Sequence, residues 1–291
     1  MNTPSLRYYG QFVVHTFRNL DTSEFCPASY SRLKFGSDVV ARRFGDEMAE
    51  KFFEKYHTVL TTDRCVIVPS AYNVVEIAAT ILAQHFMNRL NDLLSREGHR
   101  CVEWTTMHRT MSYIADYSFL SKEDRKALLE ADTLYINRDF VQGKVLLFVD
   151  DVTITGTHER KVASFLASEG LNNPAIFCYY AAYSGDKADI EAALNQHSIK
   201  GAEEYCQLIR EPGHHLVVRA VRFLLDQPLE ELRSVLRFVD AVFVDRLYHA
   251  CLAKEYDKVE GYRAGFKLIR ARHDQLGIGL VNNATFLSKE H

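Results

Sequence analysis

The sequence predicts an α/β fold: an open, mostly parallel sheet flanked by helices, followed by a C-terminal helical extension. In the first two hundred residues, short apolar runs alternate with longer segments of helical spacing, and strand–helix–strand units of this kind pair their strands in parallel. The strongest apolar run ends in two acidic residues and a turn of small residues, as strands do at the ligand-binding edge of such a sheet. Beyond about residue 200 the spacing is helical only.

Composition and charge exclude several classes of protein. The 291 residues are 47% apolar and 25% charged, as in soluble globular proteins, so disordered, fibrous and coiled-coil chains are excluded. The net charge of −3 gives no global attraction to nucleic acid or to an anionic membrane. No apolar run is long enough to span a bilayer, and the first residues lack the layout of a signal peptide. We therefore expect a cytoplasmic protein without membrane or nucleic-acid partners.

The cysteines and histidines do not predict a metal or redox centre. The six cysteines form no Cys-x-x-Cys pair, which a zinc or dithiol site built on a short loop requires. Cys65, Cys101 and Cys178 lie in apolar runs, and we expect them in the core. The adjacent His214 and His215 would point apart on a strand, which argues against a ligand pair.

Strand and helix candidates alternate along the first part of the chain. They are a strand at Phe12–Val14, a helix whose face repeats through Phe44, Met48, Phe52 and Tyr56, a strand at Arg64–Val68 before Pro69, a helix at Val74–Leu90, a strand at Cys101–Trp104, a strand at Lys144–Val149, a helix at His158–Ser168 stopped by Gly170, and a strand at Ala175–Tyr179.

Two segments depart from this alternation. Residues 105–140 mix hydroxyl, aromatic and basic side chains without a clear period, and such inserts in compact α/β proteins often form a lid or hood over a site. The second segment is helical: one helix begins at Asp226 and Pro228 with apolar positions from Leu229 to Val242, and another carries apolar positions from Val259 to Ile269. We therefore divide the chain into an α/β core at 1–199, with the hood around 105–140, and a helical extension at 200–291 packed on that core.

The segment with the clearest chemistry is 145–159, VLLFVDDVTITGTHE. Its five apolar residues predict a strand buried on both faces, with Asp150 and Asp151 at the carboxyl end where open α/β sheets bind ligands. The turn that follows is rich in hydroxyls and leads into a helix, so its backbone N–H groups suit a phosphate. The two carboxylates would repel a phosphate, but they suit sugar hydroxyls or hydrated Mg²⁺. A phosphorylated sugar is the ligand that fits both halves of the motif.

This segment resembles the phosphoribosyl-pyrophosphate (PRPP) motif of type I phosphoribosyltransferases. The ending TGTHE is similar to a bacterial branch of that family associated with tellurium-resistance and stress gene clusters. The resemblance is close over about fifteen residues and covers the order of elements from about 30 to 185. It implies a Mg²⁺-dependent transfer of ribose 5-phosphate from PRPP to a nitrogen acceptor, with release of pyrophosphate, in a protein that commonly forms a homodimer.

The resemblance also implies roles for particular residues. Asp150 and Asp151 would hold the ribose hydroxyls, directly or through Mg²⁺, and Arg109 in the hood would offset pyrophosphate charge as a catalytic residue. The segment Tyr30–Gly36 is similar to the lysine-containing segment of orotate-type members and supplies Lys34. The 5′-phosphate loop would consist of Thr153, Ile154, Thr155, Gly156, Thr157 and His158, and the pyrophosphate loop of Ser70, Ala71, Tyr72 and Asn73.

Three positions depart from the family pattern. Purine-salvage members carry an acidic residue where this chain has Ile154, which disfavours a 6-oxopurine acceptor. His158 stands where many members close the phosphate loop with Thr or Ser, and its charge would depend on pH. The pyrophosphate loop contains no glycine.

Other interpretations of the motif remain open at this stage. One Asp after a strand commonly caps the next helix, although two adjacent acids before Thr-x-Thr-Gly-Thr are less typical of a cap. A haloacid-type phosphatase needs an acid at the position of Val152, and the G-x-x-x-x-G-K-[ST] phosphate loop is absent. A non-catalytic protein that senses PRPP or a nucleotide fits the same acid pair and loop as well as an enzyme does.

Overall fold

The computed structural model describes residues 8–109, 134–187 and 189–277. In chain order the strands are β1 (Tyr8–Phe17), β2 (Cys65–Pro69), β3 (Glu103–Trp104), β4 (His108–Arg109), β5 (Leu134–Tyr135), β6 (Val145–Thr153) and β7 (Ala175–Tyr183). The helices are α1 (Pro27–Lys34), α2 (Asp38–Thr62), α3 (Ala78–Arg96), α4 (Arg138–Val141), α5 (Thr157–Ser168), α6 (Ile190–Asn195), α7 (Ala202–Ile209), α8 (Val218–Leu225), α9 (Leu229–Phe238), α10 (Ala241–Ala253) and α11 (Arg263–Gln275). Two 3₁₀ turns, Tyr256–Lys258 and Glu260–Tyr262, connect α10 to α11.

The main sheet is parallel, with the strand order β1-β7-β6-β2-β3 in the part of the chain described. From β2 the chain moves outward to β3 and then crosses back to β6 on the other side of β2. The direction of winding therefore reverses between β2 and β6, and open α/β sheets bind ligands outside the carboxyl ends of strands at such a point. This arrangement confirms the predicted fold class.

Strand β6 is buried on both faces. Val145, Leu147 and Val149 belong to the apolar cluster that contains α2 and α3. Leu146 and Phe148 belong to a second cluster on the opposite face, together with side chains of α5. The apolar run before the acid pair is explained by this central position.

The C-terminal helices share a core with the α/β part. Val221 of α8, Leu247 of α10 and Ile269 of α11 are buried in the same cluster as α2 and α3. Apolar packing therefore crosses the predicted boundary at 199/200, and the division of the chain into a core and an extension stays a prediction. In the described residues, no helix is both long and apolar enough to cross a membrane.

Gly36 fixes the approach of the extension to α1. The His215 N–H donates to the Gly36 carbonyl at 2.9 Å, and a Cβ on Gly36 would lie 1.9 Å from the His215 carbonyl oxygen. Gly36 also has φ +97°, in the left-handed region that favours glycine. A residue with a side chain would therefore force the two segments apart.

Several predicted boundaries were wrong. Helix α3 begins at Ala78 rather than near residue 74, which leaves a loop at 70–77. The helix predicted through Val242 ends at Phe238, because Val239 is extended and the Asp240 carboxylate accepts the Phe243 N–H at 2.8 Å to start α10. Cys101 is exposed, not buried. Residues 110–133 of the predicted hood lie outside the described residues.

Candidate functional site

The two acids of the motif point to opposite faces of the sheet, because successive side chains of a strand alternate. Asp151 lies on the face of α1 and is 2% exposed. Its Oδ1 accepts a hydrogen bond from the Tyr30 hydroxyl at 2.8 Å, and its Oδ2 lies 2.6 Å from the Lys34 Nζ. Burial and the neighbouring Asp151 charge raise the pKa of Tyr30 well above its ordinary value, so the phenol keeps the proton that it donates.

Asp150 has a different environment. It lines the site cavity on the α5 side, and within the described residues no lysine or arginine nitrogen forms an ion pair with it. Burial and then the Asp151 charge raise the pKa of Asp150, while His158, Lys34 and a hydrogen bond from Ser70 act in the opposite direction. Of the two carboxylates, Asp150 is therefore the one that a cation or a sugar hydroxyl can approach without displacing a protein cation.

The turn after β6 is a compact loop that ends at Gly156. Gly156 has φ +66° and stands at the N-cap of α5, where the first N–H groups of the helix have no partner within it. The hydroxyls of Thr155 and Thr157 lie 2.8 Å apart. Arg160, which the sequence analysis missed, donates to the Thr155 carbonyl at 2.9 Å and to the Thr157 hydroxyl at 3.0 Å. Its position in the first turn of the helix that follows the loop could have indicated a contact with the loop.

A cavity of about 280 Å³ brings most of the predicted site residues together. It is lined by Asp150, Asp151, all six residues of the 153–158 loop, Ser70, Ala71, Lys34 and Arg109. Ser70 follows β2, its N–H donates to the Val149 carbonyl at 3.1 Å, and its hydroxyl lies 3.2 Å from His158 Nε2. The loops after β2 and β6 therefore meet at the reversal point of the sheet.

Tyr72 and Asn73 of the predicted pyrophosphate loop face a second cavity rather than the first. The loop at 70–77 also contains Val74, whose φ of +56° is unusual for a β-branched residue, and the Val75 N–H donates to the Asn73 carbonyl at 2.7 Å. The loop thus contains a residue in the left-handed conformation at a position that is not glycine.

The second cavity has a volume of about 480 Å³ and lies between this loop and the extension. The extension contributes Arg219 and Arg222 from α8 and Lys254 from the end of α10. Lys254 is buried, and its Nζ donates to the Asn73 carbonyl at 3.1 Å. Burial, followed by the charges of Arg109 and Arg222, lowers the pKa of Lys254. These three residues could not be predicted from the sequence, because only the fold brings them to the loop.

The site residues fit a hard divalent cation through one carboxylate. Asp150 offers carboxylate oxygen at the cavity, the ligand type that Mg²⁺ prefers, and sugar or phosphate oxygens and water would complete its shell. Asp151 fits less well, because its oxygens already accept from Tyr30, Lys34 and the Val152 N–H.

The fold is of the α/β class, and its cavity lies at the carboxyl edge of a parallel sheet, where open α/β proteins bind their ligands. The family model for PRTase (phosphoribosyltransferase) ComF-like proteins matches residues 9–269, and the chain belongs to this family. The match continues past residue 200, so most of the helical extension lies within the family's own boundaries.

Comparison with solved structures gives a more distant likeness. The chain is similar to a hypoxanthine phosphoribosyltransferase from Staphylococcus aureus, with 10% sequence identity and a TM-score of 0.32. The similarity covers 50% of this chain and 76% of that chain. The search of curated proteins found no match.

Proposed function

We propose that the chain binds Mg·PRPP in the first cavity and transfers its ribose 5-phosphate group to a nitrogen acceptor. The observation that carries the proposal is the meeting of Asp150, Ser70 and the 153–158 loop around one cavity at the reversal point of the sheet. Membership of the PRTase ComF-like family supports phosphoribosyl transfer in general.

The 5′-phosphate would bind the loop at 153–158. The N–H groups at the start of α5 and the hydroxyls of Thr155 and Thr157 are donors of the kind that hold phosphates. Arg160 orients both threonines from the side of the helix and adds a positive charge. The backbone N–H groups and the threonine hydroxyls would therefore bind the phosphate without the need for a large basic surface.

Asp150 would accept hydrogen bonds from the ribose hydroxyls or hold the cation bound to them. Mg²⁺, when bound, would neutralise part of the charge on the pyrophosphate. Lys34, Arg109 and Ala71 line both this cavity and the neighbouring one, and the two basic residues would stabilise the departing pyrophosphate where the cavities meet. Lys34 would do so while it remains paired with Asp151, because its ammonium group has further N–H donors.

In the transfer, the bond between ribose C1 and the pyrophosphate oxygen breaks, and its electron pair leaves with pyrophosphate. The acceptor nitrogen forms the new bond to C1; an N–H acceptor then loses its proton to solvent, whereas a ring nitrogen without a proton keeps the positive charge. The protein positions both partners and stabilises the leaving charge, so exclusion of water decides whether transfer or hydrolysis occurs.

A second candidate function is a PRPP sensor without catalysis. The closure of Asp151 by Tyr30, Lys34 and the Val152 N–H favours it, because one of the two motif acids is already satisfied by protein groups. Release of pyrophosphate from Mg·PRPP, measured with a panel of nitrogen acceptors, separates the two. Release that Asp150→Asn abolishes supports the enzyme, whereas tight binding without release for any acceptor contradicts catalysis and supports the sensor.

A further inference from the structure

The second cavity adjoins the first. Lys34, Ala71, Ile77 and Arg109 line both. A molecule in the second cavity would therefore lie beside the loop at 70–73 and reach the ribose from the side of the extension. The second cavity is therefore placed to bind the second reactant of the proposed transfer.

The charge of the second cavity is strongly positive. Arg219, Arg222 and Lys254 come from the extension, and Arg109 comes from β4. Asp226 is the one acid among the described residues that line it. Arg219 forms no ion pair with a carboxylate of the described residues, although the chain as a whole carries a net charge of −3. A local excess of cations in a slightly acidic protein favours an anionic ligand.

Lys254 strengthens the argument because it is buried. Its only hydrogen bond within the described residues is to the Asn73 carbonyl, which carries no charge. The arginines at 109 and 222 add like charge near it, and burial disfavours its own charge. A bound anion would offset all of these costs at once.

Apart from the charged residues and the neutral polar Asn73 and Gln196, the lining is apolar and aromatic. Phe35 and Ile77 lie on the side of the core, and Val217, Phe223 and Tyr256 lie on the side of the extension. Cavities of this composition bind flat organic molecules through apolar contact and orient them through a few polar groups. The combination of a cationic rim with an aromatic lining suits an aromatic carboxylate.

We propose that the second cavity is the acceptor site, and that it selects a nitrogen acceptor that carries a carboxylate on an aromatic or conjugated ring. The inference rests on the proposed transfer reaction and adds the class of acceptor. Arg219 supplies the main contact to the carboxylate, and the extension is thereby the part of the chain that sets acceptor specificity.

The test uses pairs of ligands that differ by a carboxylate. Nicotinate and nicotinamide, anthranilate and aniline, and orotate and uracil are titrated calorimetrically into the full-length protein with Mg²⁺ and ribose 5-phosphate present, because PRPP would allow turnover; binding of Mg·PRPP is measured separately without an acceptor. We expect the carboxylate member of at least one pair to bind at least tenfold more tightly than its neutral partner. Arg219→Gln should remove that preference, Arg219→Lys should retain most of it, and both variants should bind Mg·PRPP within twofold of wild type.

The outcomes separate the inference from the proposed function. Wild-type protein that does not bind Mg·PRPP refutes the proposed transfer reaction. Protein that binds Mg·PRPP but shows no carboxylate preference, or binds none of the six compounds, refutes the acceptor assignment alone. If Arg219→Gln instead weakens the binding of Mg·PRPP and of inorganic pyrophosphate, the cavity holds pyrophosphate and the acceptor assignment is wrong.

Discussion

Lys34 and Asp151 form an ion pair of 2.6 Å that joins α1 to the end of β6, with both side chains largely shielded from solvent. The carboxylate also accepts the Tyr30 hydroxyl and the Val152 N–H. Asp151, the second acid of the motif, is thus bound by groups of the protein itself. A ligand at this site would have to compete with those groups for its carboxylate.

Removal of Lys34 should be costly. Lys34→Met leaves Asp151 buried without its counter-ion, and loss of one partner from such a pair lowers the free energy of unfolding by about 3 kcal/mol. Urea denaturation measures the loss. The matched double variant, Lys34→Met with Asp151→Asn, should recover a large part of it, because no buried charge is then left unpaired. Equal stability of Lys34→Met and wild type would show that the pair contributes nothing.

The charged carboxylate of Asp150 should lower the stability of the folded protein at neutral pH, although the proposed ligand needs that charge. Its raised pKa means that the folded state favours the protonated acid, so its contribution to stability is present at low pH and is lost as pH rises through the folded pKa. Asp150→Asn should therefore raise the melting temperature at pH 7, with a gain that disappears towards pH 4. Thermal unfolding across this range gives the answer. A lower melting temperature at pH 7 would contradict the assigned environment.

The contact between the extension and the 70–77 loop should depend on pH. His215 lies 3.3 Å from an Asp38 oxygen and 3.8 Å from a Glu76 oxygen, and these two carboxylates, Glu76 first, raise the pKa of His215 against the effect of its burial. Its contribution is complete below the ordinary histidine pKa and is lost as pH rises through the raised value. The pKa of Glu76 is lowered mainly by the neighbouring His215. Burial raises the pKa of Asp38, but His85 and then His215 outweigh it, so that this pKa is lowered too. The contributions of both carboxylates to stability are therefore lost at acid pH.

We therefore expect His215→Gln to lose stability relative to wild type mainly near pH 5 to 7, and to converge with it at higher pH. Urea denaturation at intervals between pH 5 and 9 measures the difference. The exposed His197→Gln is the control and should follow the wild-type curve. A difference between wild type and His215→Gln that is constant over pH would mean that the ring acts through packing and not through charge.

The loop strain at Val74 can be relieved. A β-branched residue at φ +56° costs about 1–2 kcal/mol relative to glycine, and the side chain is 69% exposed, so little burial is lost on removal. Val74→Gly should raise the free energy of unfolding by about 1 kcal/mol after the added entropy of the unfolded chain. Val74→Ala, which keeps a Cβ, is the matched control and should gain less. A less stable Val74→Gly would show that the conformation is not strained.

Docking of the extension depends on Gly36. Gly36→Ala places a Cβ against the His215 carbonyl and should open the second cavity while the sheet stays folded. The expected result is increased hydrogen exchange in 214–225 with little change in β6 and β7. Gly261→Ala, a position with no atom near the added Cβ, should leave exchange unchanged. Unaltered exchange in Gly36→Ala would contradict the docking role.

The sequence predicted the sheet and the first cavity because their signals are local. An apolar strand, two acids and a hydroxyl-rich turn with Gly156 follow one another within fifteen residues, so the chain order already places them at one strand end. The start of α3 could not be predicted from apolar spacing, because Val75 is buried as a loop residue and continues the helical pattern. The second cavity joins residues near 72, 109, 219 and 254, and only the packing of the extension brings them together.

The most direct test of the account is a calorimetric titration of Mg·PRPP into the wild-type protein, Asp150→Asn and Asp139→Asn. Asp139 is exposed on α4 and does not line the first cavity, so it serves as a matched control for the loss of one carboxylate. We expect wild type and Asp139→Asn to bind with equal affinity, and Asp150→Asn to bind at least tenfold more weakly. Equal binding by all three proteins, or no binding by wild type, would contradict the assignment of the first cavity to PRPP.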